Sequence, residues 1–388
     1  MSGRRRNVHV GLIVPSYGWD DSIQIPSLSL LAEGLASKID VTIFPLRNAA
    51  AQEPPSQKNP RIVDPGGAGM QFRSLVKTAI SVIRSRHKDY PFDVFHAYWL
   101  FEPGAVATLA GRLLGVPAVV SVGGAELTSL PAIGYGGMRS RRGRTINASI
   151  IRTARITTGG SHYVLDQAAR AVPAAAGRLR FAPLPVKTGT TGSIDRDAAR
   201  NEELAGCLLQ VGAYLPVKGQ DLSVRALAEL AADEPDLTLT MIGEDPVGYQ
   251  RRIHDLARQL GVAGRVRLLN RIPHTGLMSH YQRAEMLLMP SRHESQGMVV
   301  LEAAVQGLPT IGSPVGVVRD LAPDAAVALQ ATDDFRGLAR EISRMLDNEE
   351  RRTRLVIEAR KVAAERYGVE PVISRWLEIY REAAGDGA

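Results

Sequence analysis

The sequence predicts an α/β protein built from two doubly wound domains, and three observations point there. Short apolar runs of strand length alternate with helical stretches along most of the chain, the pattern of a parallel sheet covered on both faces. That rhythm stops at Pro183–Ala205, where turn formers and charges replace apolar residues, and then starts afresh at Cys207. A break of that composition reads as an interdomain linker. The length of 388 residues also suits two domains. The expected layout is a first domain over residues 1–185, a linker over 186–206 and a second domain over 207–370.

In the first set, Val8–Val14 is a β-type run that ends in the loop Pro15-Ser16-Tyr17-Gly18-Trp19-Asp20. A helix with apolar Leu28, Leu31 and Leu35 follows, then a strand over Val41–Phe44. The segment Arg47–Gly69, rich in Pro, Gly, Gln and Asn, is expected to be an exposed loop. Phe72–His87 is helical, with Leu75, Val76, Ala79, Ile80 and Ile83 on one side and Arg73, Lys77, Arg84 and Arg86 on the other. Asp93–Ala97, Ala118–Val122, Ile156–Thr158 and Leu179–Phe181 supply further strands.

The second set begins with strand Leu208–Val211, helix Asp221–Ala231 and strand Leu237–Ile242. Helix Tyr249–Leu260, strand Val266–Leu269, helix Thr275–Arg283 and strand Met286–Met289 follow. Three helices close the chain, over Phe335–Leu346, Arg351–Tyr367 and Pro371–Ala383.

Composition narrows the class. With 45% hydrophobic and 22% charged residues, the chain has enough apolar content for a sizeable core. No apolar run approaches the ~20 residues of a membrane span. The basic start MSGRRRN precedes an apolar stretch too short for a signal peptide, so it reads as the first strand of a cytoplasmic protein. The one cysteine, Cys207, lies in an apolar run and is expected to be a buried thiol. A formal charge of +7 points to anionic partners. Arg139, Arg141, Arg142 and Arg144, with the basic side of Phe72–His87, allow a peripheral contact with an acidic membrane surface; an ordinary solvated basic face is the favoured reading. No nucleic-acid module, P-loop, nucleophile elbow or metal-ligand cluster is found. The lone Asp195-Arg196-Asp197 falls in the linker and reads as helix capping.

The densest chemistry lies in Pro290–Gly316, a loop, a helix and a strand that follow strand Met286–Met289. Such units place ligands at helix N-termini. Glu294 and Glu302 sit here with seven residues between them. Glu302 is surrounded in sequence by apolar residues, so its carboxylate must face water or accept hydrogen bonds, for instance from ligand hydroxyls. The loop Gly212-Ala213-Tyr214-Leu215-Pro216-Val217-Lys218-Gly219 combines backbone that can approach an anion with a full positive charge. In the first domain, Gly123, Gly124 and Glu126 follow a strand and are expected to face a ligand cleft. His96, Tyr98 and Trp99 form either core or a sugar-binding wall.

PSRHESQGMVVLEAAVQGLPTIGSPVG resembles the E-x7-E signature of the family 4 retaining glycosyltransferases, whose fold is GT-B: two Rossmann-like domains with the active site in the cleft between them. VGAYLPVKG is similar to that family's phosphate loop. ASKIDVTIFP, FDVFHAYW, LAGRLLGVPAVVSVGGAEL and ARITTGGSHYV are similar to its first domain, in order. The resemblance implies a metal-independent transfer of a sugar from a UDP- or GDP-sugar to an unidentified acceptor by a front-face mechanism. It implies that the first domain binds the acceptor and the second the nucleotide sugar.

By position, Glu302 would bind ribose, and Glu294 with Ser295, Gln296, Gly297 and Met298 the donor sugar. Gly212, Ala213 and Lys218 would take the diphosphate, and Arg271 and Ile272 would border the base. Glu294 and Lys218 would be the catalytic pair; Tyr17, Gly18, His96, Gly123, Gly124 and Glu126 would lie on the acceptor side. The segment 371–388 would cross back onto the first domain. The chain departs from the pattern at Ala213, where an arginine is usual, at Gln296 for a phenylalanine, at Gly123 for a histidine and at Leu184-Pro185 for Asn-Gly. Those departures keep two alternatives open: a degenerate transferase acting as a nucleotide-sugar-binding or scaffolding subunit, and a GT-B epimerase or phosphorylase.

Overall fold

The computed structural model describes residues 8–17, 25–49, 60–188 and 206–385. Gly18, Trp19, Asp20, the Asp195-Arg196-Asp197 triplet and most of the expected linker lie outside the described residues. The chain divides into two compact units, Met1–Pro185 with Val369–Ala388, and Val186–Gly368.

The first unit holds a seven-stranded sheet, β1 (His9–Tyr17), β2 (Asp40–Ala49), β3 (Arg61–Ile62), β4 (Val94–Tyr98), β5 (Ala118–Val122), β6 (Ile156–Gly159) and β7 (Leu179–Phe181), in the order β3-β2-β1-β4-β5-β6-β7. Every pairing in it is parallel. Helices α1 (Pro26–Ala36), α2 (Phe72–Asp89), α3 (Phe101–Leu114), α4 (Arg141–Thr153) and α5 (His162–Ala171) connect the strands. Strands β4, β5 and β6 are buried throughout, as strands covered on both faces must be. Leu75, Val76, Ala79 and Ile83 of α2 pack into a core with Phe44, Phe95, Val106, Val120 and Ile151. Ser140 and Ser161 cap α4 and α5 by accepting from Gly143 N and Val164 N.

Two boundaries differ from the sequence expectation. The segment Pro15–Tyr17, read as loop, continues β1, and a register shift between Val14 and Ser16 absorbs the proline that cannot donate to the ladder. The expected loop Arg47–Gly69 contains the end of β2 and all of β3. In both places neighbouring backbone offers hydrogen bonds that outweigh local turn propensity.

The second unit holds a six-stranded parallel sheet, β8 (Cys207–Val211), β9 (Thr238–Ile242), β10 (Val266–Leu269), β11 (Met286–Met289), β12 (Thr310–Gly312) and β13 (Ala328–Leu329), ordered β10-β9-β8-β11-β12-β13. Its helices are α6 (Gln220–Glu229), α7 (Tyr249–Gln259), α8 (His274–Arg283), α9 (Met298–Val305), α10 (Val317–Leu321), α11 (Phe335–Leu346) and α12 (Glu349–Tyr367). The last helix, α13 (Val369–Ala384), belongs to the first unit, where it lies against α1. There Trp376 is fully buried and its indole N–H donates to Pro183 O at 3.1 Å. Cys207 is buried.

In each sheet the strand order reverses once, at β1/β4 in the first unit and at β8/β11 in the second. Loops that leave the carboxyl ends of such strand pairs diverge and open a crevice, the usual ligand position in open α/β sheets.

Candidate functional site

The crevice of the second unit is built from the loops after β8 and β11. The β8 loop is fastened from below by buried polar groups. Gln210 Nε2 donates to Lys218 O at 2.8 Å, and Gln220 Nε2 donates to Ala213 O at 2.9 Å. The Tyr214 hydroxyl donates toward Met241 O at 2.9 Å and Leu269 O at 3.0 Å, and burial pushes its pKa up to about 12. These bonds fix the backbone of Gly212, Ala213 and Lys218 before any ligand arrives.

The β11 loop is held by Arg292. Its guanidinium donates to both carboxylate oxygens of Asp221, each at 2.9 Å, to Asp333 Oδ1 at 2.6 Å and to Pro216 O. A bidentate pair fixes orientation as well as distance. Arg292 therefore ties the two loops together. Gly316, at φ 55°, lies behind them; a Cβ there would come within 2.6 Å of Gln296 O. That close backbone approach admits no side chain.

So placed, residues 76 positions apart meet: Lys218 Nζ donates to Glu294 Oε1 at 2.7 Å, and Ser291 Oγ donates to the same oxygen at 2.9 Å. Both partners of the ion pair are largely buried, with side-chain exposures of 27% and 11%. Gly297, at φ 89°, turns the chain into α9, so the positive end of that helix follows the Glu294 loop directly. Ser295 and Met298 are half-buried at that helix start, and Gln296 is buried.

Glu302 resolves the oddity of a carboxylate among apolar neighbours. Tyr281, fully buried on α8, donates its hydroxyl to Glu302 Oε2 at 2.8 Å, and His274 Nε2 stands 3.5 Å from Oε1. Burial and the adjacent carboxylate raise the Tyr281 pKa well above its ordinary value, so the phenol stays a donor. Arg271, exposed, pairs with Glu244 at 2.5 Å, and Ile272 is half-buried beside it. Tyr281, His274, Ser291 and Arg292 are the site residues that sequence reasoning missed. Only the neighbourhood of Glu294 marked Ser291 and Arg292, and nothing local marks Tyr281 as the partner of a residue 21 positions on.

In the first unit the expected acceptor-side residues separate. Tyr17 is buried, and His96 is fully buried with both ring nitrogens satisfied, by Tyr380 Oη and Ser121 Oγ at 2.8 Å each. Desolvation pushes the His96 pKa down to about 3, so its ring is neutral. His96 and Tyr98 are therefore core, and the aromatic that reaches the surface is Trp99. Gly123 and Gly124 stand half-buried at the end of β5, above Glu126. The Glu126 carboxylate is buried and accepts from the backbone N–H of Leu100, Gly123 and Gly124, at 3.2, 3.4 and 2.6 Å. Desolvation raises its pKa, against the lowering effect of those bonds. It organises backbone at the ends of β4 and β5. Here Trp99 and Phe101 adopt φ values of 77° and 38°. Such conformations cost bulky side chains about 1–3 kcal/mol each.

Among the described residues, no group of three or more His, Cys, Asp or Glu side chains could hold a metal ion. Nor is any helix among them long and apolar enough to cross a membrane.

Comparison with known proteins places this architecture. Residues 194–362 match the family model for glycosyl transferases group 1, and residues 26–185 match that for a glycosyl transferase 4-like domain. The D-inositol 3-phosphate glycosyltransferase of Acidothermus cellulolyticus is 28% identical over 386 residues, 92% of this chain and 84% of that one. The protein of the same name from Kineococcus radiotolerans is 28% identical over 334 residues, 78% of this chain and 74% of that one. Among solved structures, the sucrose-phosphate synthase of Thermosynechococcus elongatus superposes with a TM-score of 0.82 at 19% identity, covering 98% of this chain and 100% of that one. HepE from Anabaena, in complex with UDP and glucose, gives 0.73 at 17% identity over 95% of this chain and 98% of that one. The fold is GT-B. With both halves matched in order, the chain belongs to the group 1 glycosyltransferases.

Proposed function

We propose that the chain transfers a sugar from a UDP- or GDP-sugar to a hydroxyl acceptor with retention at the anomeric carbon, without a metal ion. The observation that carries this reading is the Lys218–Glu294 pair at the β8/β11 switch point, beside the start of α9 and the anchored Glu302. A nucleoside diphosphate fits that arrangement: ribose hydroxyls donate to Glu302, and the diphosphate meets the Lys218 ammonium and the first amides of α9. Glu294 then exchanges part of its contact with Lys218 for donor-sugar hydroxyls. In the reaction the bond from the anomeric carbon to the phosphate oxygen breaks. The acceptor oxygen bonds to the same face, and its proton passes to the departing phosphate. Lys218 lowers the barrier by meeting charge that grows on that phosphate. Solved relatives in complex with UDP, and with UDP and glucose, support a UDP donor. The curated relatives' name makes an inositol phosphate the first acceptor to try.

The test is incubation with UDP- and GDP-sugars, each with D-inositol 3-phosphate, in the presence of EDTA. Expected is a glycoside with the donor's anomeric configuration by NMR, lost at least 100-fold in Lys218→Ala. An inverted product, or activity abolished by EDTA, would refute the mechanism.

We also infer that the outer faces of α2, α3 and α4 rest on an anionic lipid surface. Arg73, Lys77, Arg84, Arg86 and Lys88 of α2 are exposed, as are Arg112 of α3 and Arg141, Arg142, Arg144 and Arg152 of α4. Acidic residues on these helices number two, Asp89 and Glu102, and Glu102 is paired with Arg47.

A further inference from the structure

We propose that Trp99 is the platform and hydrogen-bond donor for the ring of the acceptor, a hydroxylated six-membered ring such as a cyclitol or pyranose. The proposal rests on the transferase reading above but uses residues of the first unit alone.

Five observations converge on this side chain. Trp99 follows β4 directly, at the β1/β4 switch point, where the first sheet opens its own crevice. Its backbone is held at φ 77°, a conformation that a bulky residue keeps only where the surroundings impose it. They do so here: Trp99 N donates to Ser121 O at 3.1 Å, and the buried Glu126 carboxylate accepts from the next amide, Leu100 N, and from Gly123 and Gly124.

The indole then lies over those two glycines. A Cβ at Gly123 would meet Trp99 Nε1 at 2.9 Å and Cδ1 at 3.1 Å, and one at Gly124 would meet Nε1 at 3.4 Å. The ring thus fills space that a side chain on the β5 loop would need. Tyr98 braces it edge-on, with ring centroids 4.9 Å apart. The indole N–H donates to no protein acceptor among the described residues, although the side chain is partly buried.

A rigid aromatic surface with one uncommitted donor matches a polyol ring: C–H faces pack on the indole, and a hydroxyl oxygen accepts from Nε1. The hydrogen bonds that impose this backbone keep the indole in place, and Glu126 is the positioning residue that maintains them.

The experiment labels the three tryptophans with 15N and follows their indole N–H signals, the Trp99 signal being identified by its loss in Trp99→Phe. The protein is titrated with D-inositol 3-phosphate, myo-inositol and glucose, each with and without UDP. Expected is a saturable shift of the Trp99 signal with at least one ring polyol. In transfer assays, Trp99→Phe should raise the acceptor KM about tenfold or more, with kcat and UDP affinity within twofold of the parent. A Trp99 signal that none of the probes moves while UDP binds would overturn the proposal. So would a variant whose UDP affinity falls as far as its acceptor affinity, since a merely structural role does that. Failure of UDP to bind would instead count against the donor reading, and a moving Trp99 signal would still mark a polyol site.

Discussion

At the scale of single residues, the chain's chemistry depends on groups whose partners are distant in sequence. Glu294 and Glu302 were legible because carboxylates in a strand-loop-helix unit are conspicuous. The groups that hold the site in place were not: the Tyr281 phenol bonds Glu302, and the Arg292 guanidinium bonds Asp221 and Asp333, through contacts that only the fold creates. His96 is the reverse case, a residue expected near the acceptor that the structure buries between Ser121 and Tyr380.

That burial has a pH consequence. The folded-state pKa near 3 lies below the unfolded value of 6.5, so between them the unfolded chain binds a proton that the folded chain does not. Stability from His96 is therefore fully present above about pH 6.5 and is lost as pH falls toward 3. From pH 7.5 to 5.0 it should decline by about 2 kcal/mol through this residue. Urea unfolding of the parent and of His96→Gln at the two pH values checks it: the parent should lose more stability than the variant, and parallel losses would contradict the assignment.

At the scale of elements, apolar periodicity located most helices and strands, because burial on one or both faces leaves a pattern in sequence. It failed where pairing alone decides, as in β3 and the end of β1. The basic helices belong at this scale too, since no single arginine makes a surface. Helix α3 lies beside both α2 and α4, and it exposes Leu109 and Leu113, 44% and 69% accessible, among their cations. Each cation near an anionic bilayer adds about 1 kcal/mol of attraction. The protein should therefore sediment with vesicles containing phosphatidylglycerol and not with pure phosphatidylcholine, and 0.5 M salt should release it. Arg141→Ser, Arg142→Ser and Arg144→Ser combined should lower the partition coefficient by at least tenfold. Equal partitioning onto both vesicle types, or none onto either, would dismiss the surface.

At the scale of the whole molecule, two doubly wound units were legible because the strand-helix rhythm stops and restarts. The strand orders were not, since sequence alternation does not say on which side of β1 or β8 the next strand is laid. That order matters most for function. It brings the loops after β8 and β11 together, and so joins Lys218 to Glu294. It also sets Trp99 and the Gly123-Gly124 turn at neighbouring strand ends, β4 beside β5.

The central claim is a nucleoside-diphosphate site in the second unit, and titration calorimetry with UDP and GDP tests it most directly. One of the two should bind the parent protein. Glu302→Ala, with its fold checked by thermal melting, should weaken that nucleotide at least tenfold, the scale of a lost hydrogen bond to a charged group. Binding of neither nucleotide, or equal affinity in the variant, would contradict it.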